Sequence, residues 1–137
     1  MGEPAEVVTR YFEALSSGDV DAAVALVAED SDFRTPMASL EGRDAIRGYL
    51  AAFDDAFPEG SYRIDTLVES TATVAAEGIY VATHIGPLPL PDGSRLEPTG
   101  RTVSTPFVTM FRVVDGDIVS HRPYWDVAGF LSQLTGS

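Results

Sequence analysis

Val7, Val8, Tyr11, Phe12 and Leu15 recur at spacings of one and three, which puts them on one stripe of a helix. Ser16-Ser17-Gly18 stops that pattern. Asp19 is placed to cap a second helix, with Val20, Ala23, Val24 and Val27 turned inward. Residues 31–35 read as turn-like, with a brief strand around Phe33. A third helix is predicted from near Arg43 to before Pro58, on the stripe Ile46, Tyr49, Leu50, Phe53 and Phe57. After Gly60 the period changes to two. Strands are predicted from Tyr62 to Leu67, over 74–85 with a break at Gly78, over 102–114 and over 118–127. Residues 86–100 hold four of the nine prolines and read as a long loop, the kind that is often functional. Helices followed by a run of strands predict an α+β fold: three N-terminal helices packed into a strongly curved antiparallel sheet. The open mouth between helices and sheet is a natural ligand site, with Val7, Phe12, Val24, Leu50, Phe53, Phe107 and Phe111 as wall or core.

The last hairpin locates candidate chemistry. Asp115-Gly116 lies between two β-rich runs and is a strong turn signal. Counted outward from that turn, Val113 opposes Ile118, Phe111 opposes Ser120, Thr109 opposes Arg122, Phe107 opposes Tyr124 and Thr105 opposes Asp126. The other face then carries Val108, Met110, His121, Pro123 and Trp125. Asp126 on this register is flanked by aromatic and apolar residues, where lost hydration raises a carboxylate toward general acid–base use. Pro123 lacks an N–H and suggests an edge position or a bulge. A bulge there swaps the faces and puts His121 beside Tyr124 and Asp126 in place of Arg122. Both registers stand at this point.

Composition removes whole classes of function. The 137 residues suffice for one domain, and a hydrophobic fraction of 45% with 22% charged excludes wholesale disorder. Nine basic against 21 acidic residues leave a formal charge of -12, which repels nucleic-acid phosphate and anionic membranes. There is no cysteine, and two histidines make an imidazole-built zinc site implausible. No metal or cofactor is expected. The opening Met-Gly-Glu-Pro-Ala-Glu has neither the basic nor the apolar region of a signal peptide, and no apolar run matches a membrane span, so a cytoplasmic protein is expected.

Several segments resemble the SnoaL-like polyketide cyclases of the nuclear transport factor 2-like (cone-shaped α+β barrel) superfamily. They are residues 7–15 with Ser17-Gly18-Asp19, Leu40-Glu41-Gly42-Arg43-Asp44-Ala45-Ile46, Thr83-His84-Ile85-Gly86-Pro87 with Pro98-Thr99-Gly100-Arg101, and residues 114–119 with Tyr124-Trp125-Asp126. The resemblance spans nearly the whole chain and implies a single domain over 1–137. It implies that Asp126 removes a proton next to a carbonyl and assists an intramolecular aldol closure without a cofactor. It further implies that His84 and His121 are polar contacts lining or flanking the pocket. Residues 88–95 look longer than the family's usual loop, so the substrate does not carry over.

The expected ligand is a small apolar carbonyl-bearing molecule, with Tyr124, Tyr49, Phe53, Phe107 and Phe111 against it. The phenols of Tyr11, Tyr49 and Tyr124 can orient a carbonyl. Plainer roles stand beside these. Asp126 also suits the N-cap of a short C-terminal helix starting near Val127. His84 suits a strand end bonded to the backbone, and His121 an outward position. Asp30, Asp32 and Arg34 read as a solvated turn, although such a set holding a water suits an epoxide hydrolase. Asp54-Asp55 is placed on the exposed face of the third helix. A non-catalytic module for a hydrophobic ligand is the alternative to an enzyme. A homodimer is expected through the apolar outward face of Val108, Met110, Pro123 and Trp125.

Overall fold

A computed structural model describes residues 2–136. Helix α1 (Glu3–Ser16) buries Ala5, Val7, Val8, Tyr11 and Phe12, the stripe expected from the sequence. Its N-terminus is capped from a distance. The Glu69 carboxylate accepts from the Gly2 and Ala5 amides at 3.1 and 2.9 Å, satisfying donors that no local side chain reaches. Asp19 caps α2 (Val20–Val24) by accepting from the Ala22 amide at 3.0 Å. The chain leaves α2 directly into strand β1 (Val27–Thr35), followed by β2 (Ala38–Glu41). The brief strand expected around Phe33 is thus nine residues long, and Val27, expected on the second helix, begins it. Helix α3 (Arg43–Ala56) ends before Pro58, as read from the sequence.

Strands β3 (Ser61–Ser70) and β4 (Thr73–Thr83) follow. Gly78 does not break β4. It lies where β3 bulges between Ile64 and Thr66, and an added Cβ would sit 2.0 Å from the Arg63 carbonyl oxygen. The proline-rich segment forms a small ribbon, β5 (Leu88–Pro89) with β6 (Arg95–Leu96). Then come β7 (Thr102–Val114), β8 (Asp117–Trp125) and a fourth helix, α4 (Val127–Thr135).

One six-stranded sheet runs β2-β1-β8-β7-β4-β3. Its β1–β8 pair is parallel, so the sheet is mixed rather than antiparallel throughout. Side chains of β7 alternate strictly: Val103, Thr105, Phe107, Thr109, Phe111 and Val113 are buried, and their neighbours are exposed. The curved sheet wraps its inner face around α1 and α3. Phe130 and Leu134 of α4 close the end of the core, and the Gln133 amide is held to the Ser104 backbone at 2.8 and 3.2 Å. Among the described residues no helix is long and apolar enough to cross a membrane.

The β7–β8 hairpin departs from the straight count. Val114 faces Asp117 and Val113 faces Ile118, but Arg112 then faces Ser120, leaving Val119 as the extra residue of a bulge. From there every side chain of β8 changes face. Phe111 faces His121, Thr109 faces Pro123 and Phe107 faces Trp125. Pro123 is tolerated because β1 pairs with β8 only as far as His121, so no second strand asks for its amide. The outward apolar row is accordingly Val108, Met110, Val114 and Tyr124, while Pro123 and Trp125 turn inward.

Candidate functional site: an aromatic cavity with unpaired polar groups

The inner face of the sheet and helices α1, α3 and α4 enclose a cavity of about 100 Å³. Aromatic rings form most of its wall: Tyr11 and Phe12 from α1, Tyr49 and Phe53 from α3, Tyr62 from β3, Tyr80 from β4 and Phe107 from β7. The rings interlock. Tyr62 lies 4.6 Å from Tyr80 between centroids, and Phe12 lies 5.8 Å from Phe107 in a tilted pair. Gly60 lets the Tyr80 phenol approach the backbone, since a Cβ there would stand 2.3 Å from the hydroxyl oxygen.

Into this apolar wall the fold sets a few polar groups. His121 is turned inward by the Val119 bulge and is buried. Its ring stacks on Phe111 at 4.4 Å and meets the Phe33 edge at 4.4 Å. Nε2 lies 2.9 Å from the Thr109 hydroxyl, while Nδ1 is buried without a partner. Burial lowers the imidazole pKa to about 3, so the ring is neutral at ordinary pH. The Tyr11 hydroxyl is also buried without a partner. Its pKa is pushed well up by burial first and by Tyr62 and Tyr49 next, so it stays a phenol. The Thr105 hydroxyl is a third such group on the cavity wall. A buried polar atom left unpaired costs about 1–3 kcal/mol, and these three belong to residues of one cavity wall. Thr105 and Thr109 are four residues apart on one face of β7, about 13 Å along the strand, which sets the length of the polar lining.

The expected site residues divide. His121, Tyr49, Phe53 and Phe107 line the cavity. Phe111 lies behind it, as the surface on which His121 stacks. Tyr124 is 58% exposed on the outer face opposite Val108, because the bulge reverses the side it was expected to occupy. Asp126 does not line the cavity. It lies just past the end of β8, is exposed, and caps α4 by accepting from the Gly129 amide at 2.9 Å. The desolvated setting expected for it rested on a register that the structure does not have. His84 is buried but apart from the cavity. Its Nδ1 accepts from the Thr99 amide at 3.2 Å, its ring packs on Phe57, and it ties the start of the proline-rich segment to its end. Burial lowers its pKa, opposed by a bond to the Gly86 backbone. Asp30 and Arg34 of β1 are exposed and Asp32 does not line the cavity.

Asp54 was expected on the exposed face of α3 and is instead half-buried on the cavity wall. It follows Leu50 by four residues, so helix spacing already puts it on the inward side. Burial, and then neighbouring Asp55, raise its carboxyl pKa. Among the described residues no Lys or Arg lines the cavity. Among the described residues no three His, Asp or Glu side chains gather to hold a metal ion.

Comparison with known proteins places this architecture. The model of the SnoaL-like domain matches residues 8–121. Among solved structures the chain is similar to a candidate SnoaL-like polyketide cyclase from Jannaschia sp. CCS1, at 19% identity over 98% of this chain and 93% of that one, with a TM-score of 0.86. A candidate polyketide cyclase from Xanthomonas campestris pv. campestris gives 24% identity over 96% of each chain and a TM-score of 0.84. An LEH-like epoxide hydrolase from M. tuberculosis gives 18% identity over 98% of this chain and 90% of that one, with a TM-score of 0.77. At these identities the likeness speaks for the fold.

Proposed function

The chain belongs to the SnoaL-like domain family, and on that premise we propose that its cavity takes a small, uncharged, largely apolar molecule bearing a carbonyl, for cofactor-independent proton transfer next to that carbonyl. Isomerisation and aldol ring closure are two reactions of this type. The observation that carries the reading is the unpaired set Tyr11 Oη, Thr105 Oγ1 and His121 Nδ1 on an aromatic wall. An aromatic wall favours an apolar body, and isolated hydroxyl and imidazole groups favour a single oxygen. With no Lys or Arg among the described residues of the wall, a carboxylate or phosphate is disfavoured, since its charge would be buried unpaired.

The same groups suit the chemistry. Removing a proton next to a carbonyl places negative charge on its oxygen, and fixed neutral donors stabilise that charge best where water is excluded. Tyr11 is held as a phenol by burial, and a neutral His121 is anchored through Nε2. If the Thr109 hydroxyl donates to Nε2, then Nδ1 carries the proton and can donate to the ligand. Epoxide opening on the set Asp30, Asp32 and Arg34 finds no support, because none of the three lines the cavity.

The reading is tested by NMR titration with two bicyclic molecules of similar size, 1-tetralone and 2-naphthoate. The expected result is that the neutral ketone shifts the ring resonances of His121 and Tyr11 and the carboxylate does not. Shifts with the carboxylate alone, or with neither, overturn it.

A further inference from the structure

Helix α3 ends its inward face with Leu50, Phe53, Asp54 and, just beyond its last turn, Phe57, all of which line the cavity. Three are apolar and the fourth is a carboxylate. A half-buried carboxylate in a folded protein is normally answered by a cation, an amide or a hydroxyl. Asp54 has no such partner among the described residues. Its Oδ1 faces the corner between α1 and α2, where a Cβ added to Gly18 would stand 4.0 Å away. Asp55, next in the chain, is exposed and outside the cavity, so α3 separates two adjacent carboxylates into one wet and one walled. Tyr62 and Tyr80, 4.6 Å apart between centroids, feel the Asp54 charge, which adds to burial and to the other phenols in holding both protonated. Asp54 is the only carboxylate among the described cavity-lining residues.

We propose that Asp54 is the proton-transferring carboxylate of this cavity, resting on the reading of the cavity as a site for an apolar carbonyl compound. In the step assigned to it, an Asp54 oxygen takes a proton from the carbon next to the ligand carbonyl. The C–H electron pair becomes the C=C bond of the enolate, and the carbonyl π pair moves to oxygen, toward the neutral donors. The protonated Asp54 then returns its proton, either to a different carbon of the enolate, which isomerises the ligand, or to the alkoxide formed when the enolate carbon attacks a second carbonyl. Each route leaves Asp54 ionised again and consumes no second reactant. A carboxylate of raised pKa is a stronger base for this than a solvated one.

The test uses 1-tetralone in D₂O. Proton NMR follows exchange at the carbon next to its carbonyl, and emission from Trp125, the chain's single tryptophan and a cavity residue, reports binding. Wild type is expected to bind the ketone and exchange it above the buffer rate. Asp54→Asn is expected to bind as wild type but exchange about 10²-fold more slowly, the usual contribution of a positioned base. Asp54→Glu, which keeps a carboxylate, is expected to recover part of the rate. Asp55→Asn, which removes the same charge outside the cavity and only its influence on Asp54, is expected to slow exchange far less than Asp54→Asn. Asp54→Asn exchanging at the wild-type rate overturns the proposal, as does an equal slowing in Asp54→Asn and Asp55→Asn. Wild type that binds without exchanging overturns the role of Asp54 and leaves the binding reading in place. Wild type that does not bind overturns both.

Discussion

His121 Nε2 meets the Thr109 hydroxyl at 2.9 Å, diagonally across the β7–β8 ladder, because Thr109 pairs with Pro123 and His121 pairs with Phe111. That one bond fixes the orientation of the imidazole and leaves Nδ1 buried without a partner. Thr109→Val keeps the shape and removes the partner. It should cost about 1–3 kcal/mol of stability, the penalty of a buried nitrogen left unpaired. The midpoint of urea denaturation at neutral pH checks this.

Because burial depresses the His121 pKa from 6.5 to about 3, its stabilising contribution has a definite pH window. The unfolded chain binds a proton at His121 below pH 6.5, and the folded one does so only near pH 3. Stability from this group is therefore complete above pH 6.5 and falls as the pH drops toward the folded value. Between pH 6 and 5, wild type should lose up to about 1.4 kcal/mol per pH unit more than His121→Met. Denaturation midpoints of both proteins at several pH values in that range show it, and parallel curves would contradict the buried neutral ring.

Thr105 offers a trade between stability and binding. Its hydroxyl is buried on the cavity wall with no partner. Thr105→Val removes an unsatisfied group without changing shape, so the ligand-free protein should gain about 1 kcal/mol. Ketone affinity should fall at the same time. A thermal shift upward with weaker 1-tetralone binding is the expected pair of results.

At Asp126 the structure predicts a helix-capping effect. Asp126→Ala removes the bond to the Gly129 amide and should cost about 1 kcal/mol, while Asp126→Asn keeps a capping oxygen and should cost little. Ketone exchange should be unchanged in Asp126→Asn. A large loss of exchange in that variant would return the catalytic role to the end of β8.

How far the sequence could be read follows from which contacts were local. The stripes of α1 and α3, the Asp19 cap and the Asp115-Gly116 turn are short-range patterns, and each is where periodicity and turn chemistry put it. At β1 the sequence shows only a turn-like stretch with a brief strand at Phe33, because one of its partners is a parallel β8 far along the chain that leaves no mark in residues 31–35. Pro123 rightly signalled irregular pairing in β8, but the extra residue is Val119, a good strand former with nothing to set it apart. His121, Tyr124 and Asp126 all depended on that position. Asp54 is legible in helix spacing, four residues after Leu50, although the charge of a carboxylate argues for solvent.

The Val119 bulge has one more consequence. Upstream of it the hairpin is in simple register, and downstream every β8 side chain is reversed. The same residues paired straight, with Val119 opposite Arg112, would carry Arg122 inward opposite Thr109 and turn the imidazole out, with no residue altered. The cavity would then set a guanidinium on the wall that also carries Asp54, and would suit anions better than it does now. Ligand polarity in this protein is thus encoded in how one hairpin is paired as well as in which residues it holds.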